Sequence, residues 1–214
     1  MANNNIGKPE RVSQDRVIQL FQTELGYTYL GDWEEEVRTQ SIEEDILKNY
    51  LLGKGYSNIQ SQKAIDKLVK AANNLSIGLY EANKEVYHML RYGVTVREEL
   101  GQPKETVWFI DWKDIESNQF AVAEEVTVQG KLTKRPDVVI YVNGIALGVL
   151  ELKRSKVGVE EGIRQNLDNQ KEAFIPKFFT TMQFVLAGND TQGMRYGTIE
   201  TPEKYFLTWK EDSD

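Results

Sequence analysis

The 214-residue chain contains no cysteine and one histidine, His88. Without cysteine there is no disulfide, no thiolate zinc site and no cysteine nucleophile, which fits a reducing cytoplasm. One histidine excludes any chemistry that needs a histidine pair. No run approaches the roughly 20 apolar residues of a membrane span, and the start MANNNIGKPE lacks the apolar core of a secretory signal. A soluble, cytoplasmic protein is expected. Positive charge is also short: 26 Lys and Arg stand against 33 Asp and Glu, a net charge of -7. That balance excludes a generally basic nucleic-acid binder, because affinity for DNA rests mainly on phosphate neutralisation. No internal repeat, no low-complexity segment and no G-x-x-x-x-G-K-[ST] phosphate loop is present.

What is present suffices for a core, since 40% of the residues are hydrophobic. After a polar start, Ser13 is positioned to cap a helix from Gln14 to Leu25 that carries Val17, Ile18, Phe21 and Leu25 on one face. A short strand is expected over Tyr27 to Leu30. Ser41-Ile42-Glu43-Glu44 has capping-box spacing for a helix through Leu52, and further helices are expected over 58–73 and 77–92. From Val94 the period becomes strand-like. Strands are expected over 94–99, 106–112 and 120–128, followed by a hairpin, a helix over 159–174, strands over 183–187 and 194–199, a short element over 203–209 and an acidic tail. The expected fold is a mixed α/β sheet flanked by helices, with residues 1–93 as an added N-terminal helical region and 94–214 as the core. His88 reads as structural, Glu34-Glu35-Glu36 as a solvated run, and Trp108, Phe109 and Trp112 as core aromatics with base stacking as the functional alternative.

The chemistry concentrates in RPDVVIYVNGIALGVLELK, Arg135 to Lys153. Asn143-Gly144 between two apolar runs signals a hairpin. Both strands carry apolar residues on both faces, so the hairpin belongs inside a covered sheet, where a charge is costly unless it is paired or holds a metal. Asp137, Glu151 and Lys153 are the exceptions. Glu151 and Lys153 share a face. Asp137 does not join them if Asn143-Gly144 is the whole loop, because it then lies opposite Leu150. A three-residue loop, or a bulge at Gly148, moves the register by one and brings the three together. One of these irregularities is expected. Two carboxylates at a strand end suit a hard divalent ion, and a neighbouring lysine is placed to orient water, the combination that phosphodiester hydrolysis requires.

Pro136-Asp137 followed by Glu151-Leu152-Lys153 resembles the PD-(D/E)xK nuclease motif. The whole run, together with Phe109-Ile110-Asp111-Trp112, Asn118-Gln119-Phe120, Leu25-Gly26-Tyr27 and Arg195-Tyr196-Gly197-Thr198, is similar to the N-terminal endonuclease domain of the type I restriction enzyme R subunit. The resemblance implies a PD-(D/E)xK restriction-endonuclease-like core and a Mg²⁺-dependent DNA endonuclease. Asp137, Glu151 and the Leu152 carbonyl would hold the metal, Lys153 would position water, and Gln165 would be the glutamine of the family's QxxxY motif. Four residues on stands Asn169 instead of tyrosine, and a second glutamine, Gln170, is followed by Phe174. Asp15 is the candidate for an acid on the first helix near the metal. Lys134, Arg135, Arg154, Lys156 and Arg164 are the DNA-contact candidates. The implied partners are double-stranded DNA and the methyltransferase and specificity subunits. ATP would act only through a motor absent from this chain, which is then expected to be part of a longer subunit. The alternatives are a non-catalytic DNA-clamping or motor-docking module of the same fold, and a repair or recombination nuclease.

Overall fold

A computed structural model of the chain describes residues 8–210. The polar start at 1–7 and the tail at 211–214 lie outside the described residues. Seven strands form the main sheet: β1 (Thr28–Asp32), β4 (Phe120–Glu124), β5 (Val138–Val142), β6 (Ile145–Leu152), β7 (Phe184–Asn189), β8 (Gly193–Gly197) and β9 (Leu207–Thr208), in the order β1-β4-β5-β6-β7-β8-β9. The β1/β4 and β6/β7 pairs are parallel and the other pairs antiparallel, so the sheet is mixed, as the strand pattern implied.

Both faces of the sheet are covered, and side-chain alternation decides what each face carries. Helix α1 (Lys8–Thr23) lies on one face, where Ile18 packs with Val122, Val138, Leu150, Leu152 and Leu186. The opposite face takes the 3-10 turn Pro176–Thr180, whose Phe178 and Phe179 pack with Val139, Tyr141, Val149 and Val185. Helix α5 (Val159–Asn169) covers the same side further along, placing Val159 and Ile163 on Ala187. Gly162 allows this approach: a Cβ there would lie 3.1 Å from the Ala187 Cβ and 3.5 Å from the Glu151 Cβ.

Helices α2 (Glu44–Gly53), α3 (Asn58–Ala72) and α4 (Leu79–Tyr92) form a second layer around Leu47, Leu51, Ile65, Leu68, Val86 and Leu90. The strands expected near 94–99 and 106–112 are shorter than expected, β2 (Val94–Val96) and β3 (Glu105–Val107). They pair only with each other, outside the main sheet. Their inward residues, Val94, Val96 and Val107, bury into the helical core instead.

Three local expectations are also corrected. Ser13 is inside α1 rather than at its cap, with its hydroxyl on Asp190 at 2.9 Å. Ser41 forms no capping box: α2 has no side-chain cap, and the buried Ser41 instead accepts the Ala146 N–H at its carbonyl. The reciprocal capping box is built by Ser57 and Gln60 at the start of α3. Helix α5 stops at Asn169, five residues short of the expected end, because the chain turns there so that the Ile175 N–H reaches the Asn169 carbonyl.

Candidate active site

The β5–β6 hairpin turns on Asn143 and Gly144, both with positive φ (53° and 82°), as a tight two-residue turn requires. Asn143 is fixed from three sides: its backbone N–H donates to the Gln119 carbonyl, its Oδ1 accepts from the Gln119 N–H at 2.7 Å, and its Nδ2 donates to the Phe109 carbonyl at 2.8 Å. Gly144 lies so close to α2 that a Cβ would stand 2.8 Å from the Glu43 carbonyl oxygen.

With a two-residue turn the register alone would separate the acids. The structure resolves this with the second of the two expected irregularities. Val142 pairs with Ile145 and Tyr141 with Ala146, but Ile140 pairs with Gly148, which leaves Leu147 as the extra residue of a bulge. Beyond it Val138 pairs with Leu150, so Asp137 stands opposite Glu151 on the face that α5 covers.

Glu151 is fully buried, and its two oxygens differ. Oε2 accepts from Gln165 Nε2 at 2.7 Å and lies 3.6 Å from Lys153 Nζ, whereas Oε1 has no hydrogen-bond partner. Burial pushes the Glu151 carboxyl well above the usual carboxylate range; the neighbouring Asp137 adds to this by charge and by a side-chain hydrogen bond, and Lys153 opposes it. Asp137 is half-buried and accepts the Leu152 N–H at 2.6 Å through Oδ2. In a strand the N–H and C=O of one residue lie on the same edge, so the Leu152 carbonyl belongs to the Asp137 side. A buried carboxylate oxygen without a partner, beside a second carboxylate and a main-chain carbonyl, is a hard oxygen donor set. It fits Mg²⁺, which needs only one or two protein carboxylates. Among the described residues no group of three or more His, Cys, Asp and Glu converges as a metal cage.

Gln165, from the first turns of α5, therefore meets the acid pair. Gln170 does not: its amide donates to the Asn166 carbonyl at 3.1 Å and accepts the Glu200 N–H at 2.6 Å, joining the end of α5 to a neighbouring loop. Asn169 is buried at the end of α5 with its side-chain amide unpartnered.

Asp15 is not brought to the acid pair. It is exposed and paired with Arg11 at 3.1 Å. The helix contributes Gln14 instead, whose Nε2 donates to Glu124 Oε2 at 2.8 Å and lies 3.5 Å from the Asp137 carbonyl oxygen. Glu124 is buried on the α1 face, where Tyr29 donates to its Oε1 at 2.5 Å and Arg11 stands 3.3 Å away. Glu125, with a strained φ of 51°, donates its N–H to the Asp137 carbonyl and holds Arg135 at 2.8 Å. Burial raises the Glu125 carboxyl, and the charge of Asp137 adds to this. None of these supporting residues was expected. The available signal was two acids inside the apolar run FAVAEEV.

The basic candidates divide. Lys134 stands over the Phe174 ring, 4.1 Å from its centroid, and Arg135 also pairs with Glu34. Arg154 and Lys156 lie in the loop after β6, Lys156 exposed. Arg164 is exposed and paired: Glu203 accepts from it through two oxygens at 2.8 and 2.9 Å, and Glu161 at 2.9 Å. His88 is exposed and stacked 5.7 Å from Tyr92. No helix among the described residues is long and apolar enough to cross a membrane.

Comparison with known proteins gives one answer. The chain is 29% identical over 178 residues to the provisionally named type I restriction enzyme MjaVIIIP endonuclease subunit of Methanocaldococcus jannaschii, covering 78% of this chain and 16% of that protein. It is 28% identical over 213 residues to the likewise provisionally named MjaIXP endonuclease subunit of the same organism, covering 93% of this chain and 20% of that protein. With the type I restriction enzyme HindI endonuclease subunit of Haemophilus influenzae the identity is 30% over 162 residues, 70% of this chain and 15% of the relative. The chain thus spans a fifth or less of the length of these relatives. The profile of the family described as type I restriction enzyme R protein N terminus matches residues 8–204, and the chain belongs to that family.

Proposed function

We propose that this chain is a Mg²⁺-dependent DNA endonuclease domain of a type I restriction-modification R subunit, cleaving DNA without reading its sequence. The observation that carries the reading is the bulged register that sets Asp137 opposite Glu151, with the partnerless Glu151 Oε1 beside them and Lys153 Nζ 3.6 Å from Oε2. Asp137, Glu151 and the Leu152 carbonyl would hold the metal. When bound, Mg²⁺ offsets the negative charge that grows on the scissile phosphate and lowers the pKa of water. Gln165 fixes the Glu151 rotamer through Oε2 and leaves Oε1 for the ligand. Lys153, held near Glu151 by its charge, orients the attacking water. Glu125 and Gln14 brace the backbone of Asp137 from behind. Lys134, Arg135, Arg154 and Lys156 take DNA phosphates, a role that needs only local positive charge on an acidic protein. Sequence choice then belongs to a specificity subunit, modification to a methyltransferase subunit, and ATP use to a motor outside this chain.

The test is cleavage of a supercoiled plasmid in Mg²⁺ and ATP by the full R subunit assembled with its methyltransferase and specificity subunits. Asp137→Ala and Lys153→Ala are each expected to abolish cutting while ATP hydrolysis continues. If the complex cuts equally well with either substitution, the acid pair is not the nuclease site and a docking role replaces this reading.

A further inference from the structure

At the end of the β5–β6 hairpin remote from the acid pair, the ends of α2 and α4 meet the segment 108–113 around a cleft of about 730 Å³. Ile145 and Glu151 stand six positions apart on β6, so the turn end of the hairpin is on the order of 20 Å along the strand from the acids. The cleft meets the hairpin turn through Asn118, whose Oδ1 accepts both Tyr50 Oη at 3.2 Å and Asn143 Nδ2 at 2.8 Å.

The walls of the cleft are aromatic, and they are open. Trp108 and Trp112 are 42% and 43% exposed, and Tyr92 is 60% exposed. Such rings side by side form a contiguous surface, which a folded chain normally covers unless something binds it. They are also held in place. Trp112 Nε1 donates to the Leu90 carbonyl at 2.9 Å, and Tyr56 Oη accepts the main-chain N–H of Trp108 at 3.1 Å. Gly93, at a φ of 69°, lets the end of α4 press on β3, because a Cβ there would stand 2.7 Å from the Val107 carbonyl oxygen and 3.4 Å from Trp108. The rim is cationic. Lys54 is matched by Asp111 at 2.9 Å, but the Arg91 guanidinium lies over the Trp112 and Tyr92 rings, 5.2 and 5.9 Å from their centroids, and Lys113 adds a further charge. Aliphatic lining is nearly missing: Ile110, itself buried, is the single such residue lining this cleft among the described residues.

Open indole faces beside cations suit a planar base next to a phosphate, the base stacking on the ring and the cation taking the phosphate. A duplex cannot use the faces, because its bases are stacked on each other. We propose that this cleft binds single-stranded polynucleotide, stacking unpaired bases on Trp112 and Trp108 while Arg91 and Lys113 take the flanking phosphates.

The 214-residue chain, in EDTA, is titrated with oligo(dT) while indole fluorescence is followed. Saturable quenching is expected. Trp112→Ala is expected to weaken binding on the order of tenfold or more, and Arg91→Gln to weaken it less while flattening its salt dependence. Trp112→Phe, which keeps a ring, should retain most of the affinity, so that a fall in Trp112→Ala is not loss of fold. Trp209→Ala, whose indole packs on Tyr196 elsewhere, should leave binding unchanged. The proposal is overturned if oligo(dT) does not quench, if an abasic strand or a duplex of equal length binds as tightly, or if only an aromatic-rich peptide is taken. Because no metal or cleavage enters the assay, its result is independent of the plasmid test.

Discussion

Replacing Glu151 by glutamine tests the electrostatics of the acid pair without requiring any cleavage. In the metal-free protein, ionised Glu151 is a fully buried charge facing Asp137, compensated by Gln165 at 2.7 Å and Lys153 at 3.6 Å. Its carboxyl is raised well above the ordinary value of 4.5, burial being the first cause and Asp137 the second. A carboxyl raised on folding binds protons more tightly in the native state than in the unfolded one. Its contribution to stability is therefore full below about pH 4.5 and is lost as the pH rises through the folded value. Glu151→Gln removes that loss. At pH 8.5 without metal it is expected to stabilise the chain by on the order of 1–4 kcal/mol, the lower end applying if Lys153 suffers from losing its partner. For a chain of this size that corresponds to roughly 2–4 °C in Tm per kcal/mol. At pH 5 the two proteins should differ little. Added Mg²⁺ should close or reverse the gap, raising wild type by about 2.7 kcal/mol at a hundred times its Kd and leaving the variant unmoved. Thermal melts in EDTA and in Mg²⁺ at both pH values measure all four terms. If wild type gains on the variant as the pH rises in EDTA, the buried-charge argument is refuted.

Two further outcomes follow from the packing. Deleting Leu147 removes the extra residue of the bulge but leaves Ile140 opposite Gly148 and Asp137 opposite Glu151, so the Mg²⁺-linked rise in Tm should survive the deletion whatever it costs in stability; a deletion variant that folds but loses the Mg²⁺ response would show that the pairing of the two acids is not what assembles the site. Gln14→Ala strips the amide donor from buried Glu124 and should lower stability by about 1–3 kcal/mol in urea denaturation. An unchanged midpoint would mean that Arg11 and Tyr29 satisfy Glu124 without it.

Much of the molecule was legible in the residues themselves because the signals are local. The 3.6-residue stripes of α3 and α4, the Asn143-Gly144 turn and the apolar strands around it each announce their own conformation. The alternation rule even required an irregularity between Asp137 and Glu151, since without one their side chains would lie on opposite faces. What the residues alone did not decide is where separate signals meet. Both a longer loop and a bulge satisfied the register, and the fold takes the tight turn, pressed against α2 at Gly144, with the bulge at Leu147. Whether Val94–Val96 and Glu105–Val107 join the main sheet depends on which core takes their apolar face, and the helical layer takes it. Ser41 and Ser57 have equally good capping spacing. One is drawn into the sheet by Ala146 while the other remains free to cap. Gln165 and Gln170 were likewise both candidates for the motif's glutamine, yet α5 ends at Asn169 and it is Gln165 that donates to Glu151. The support behind Asp137 was the least visible, because Gln14 and Glu124 lie 110 positions apart in sequence and become neighbours only when α1 closes over β4. Composition and local period set the chemistry and the elements of this protein; tertiary packing decided their register, their layer and their partners, because those depend on which distant surface each side chain buries against.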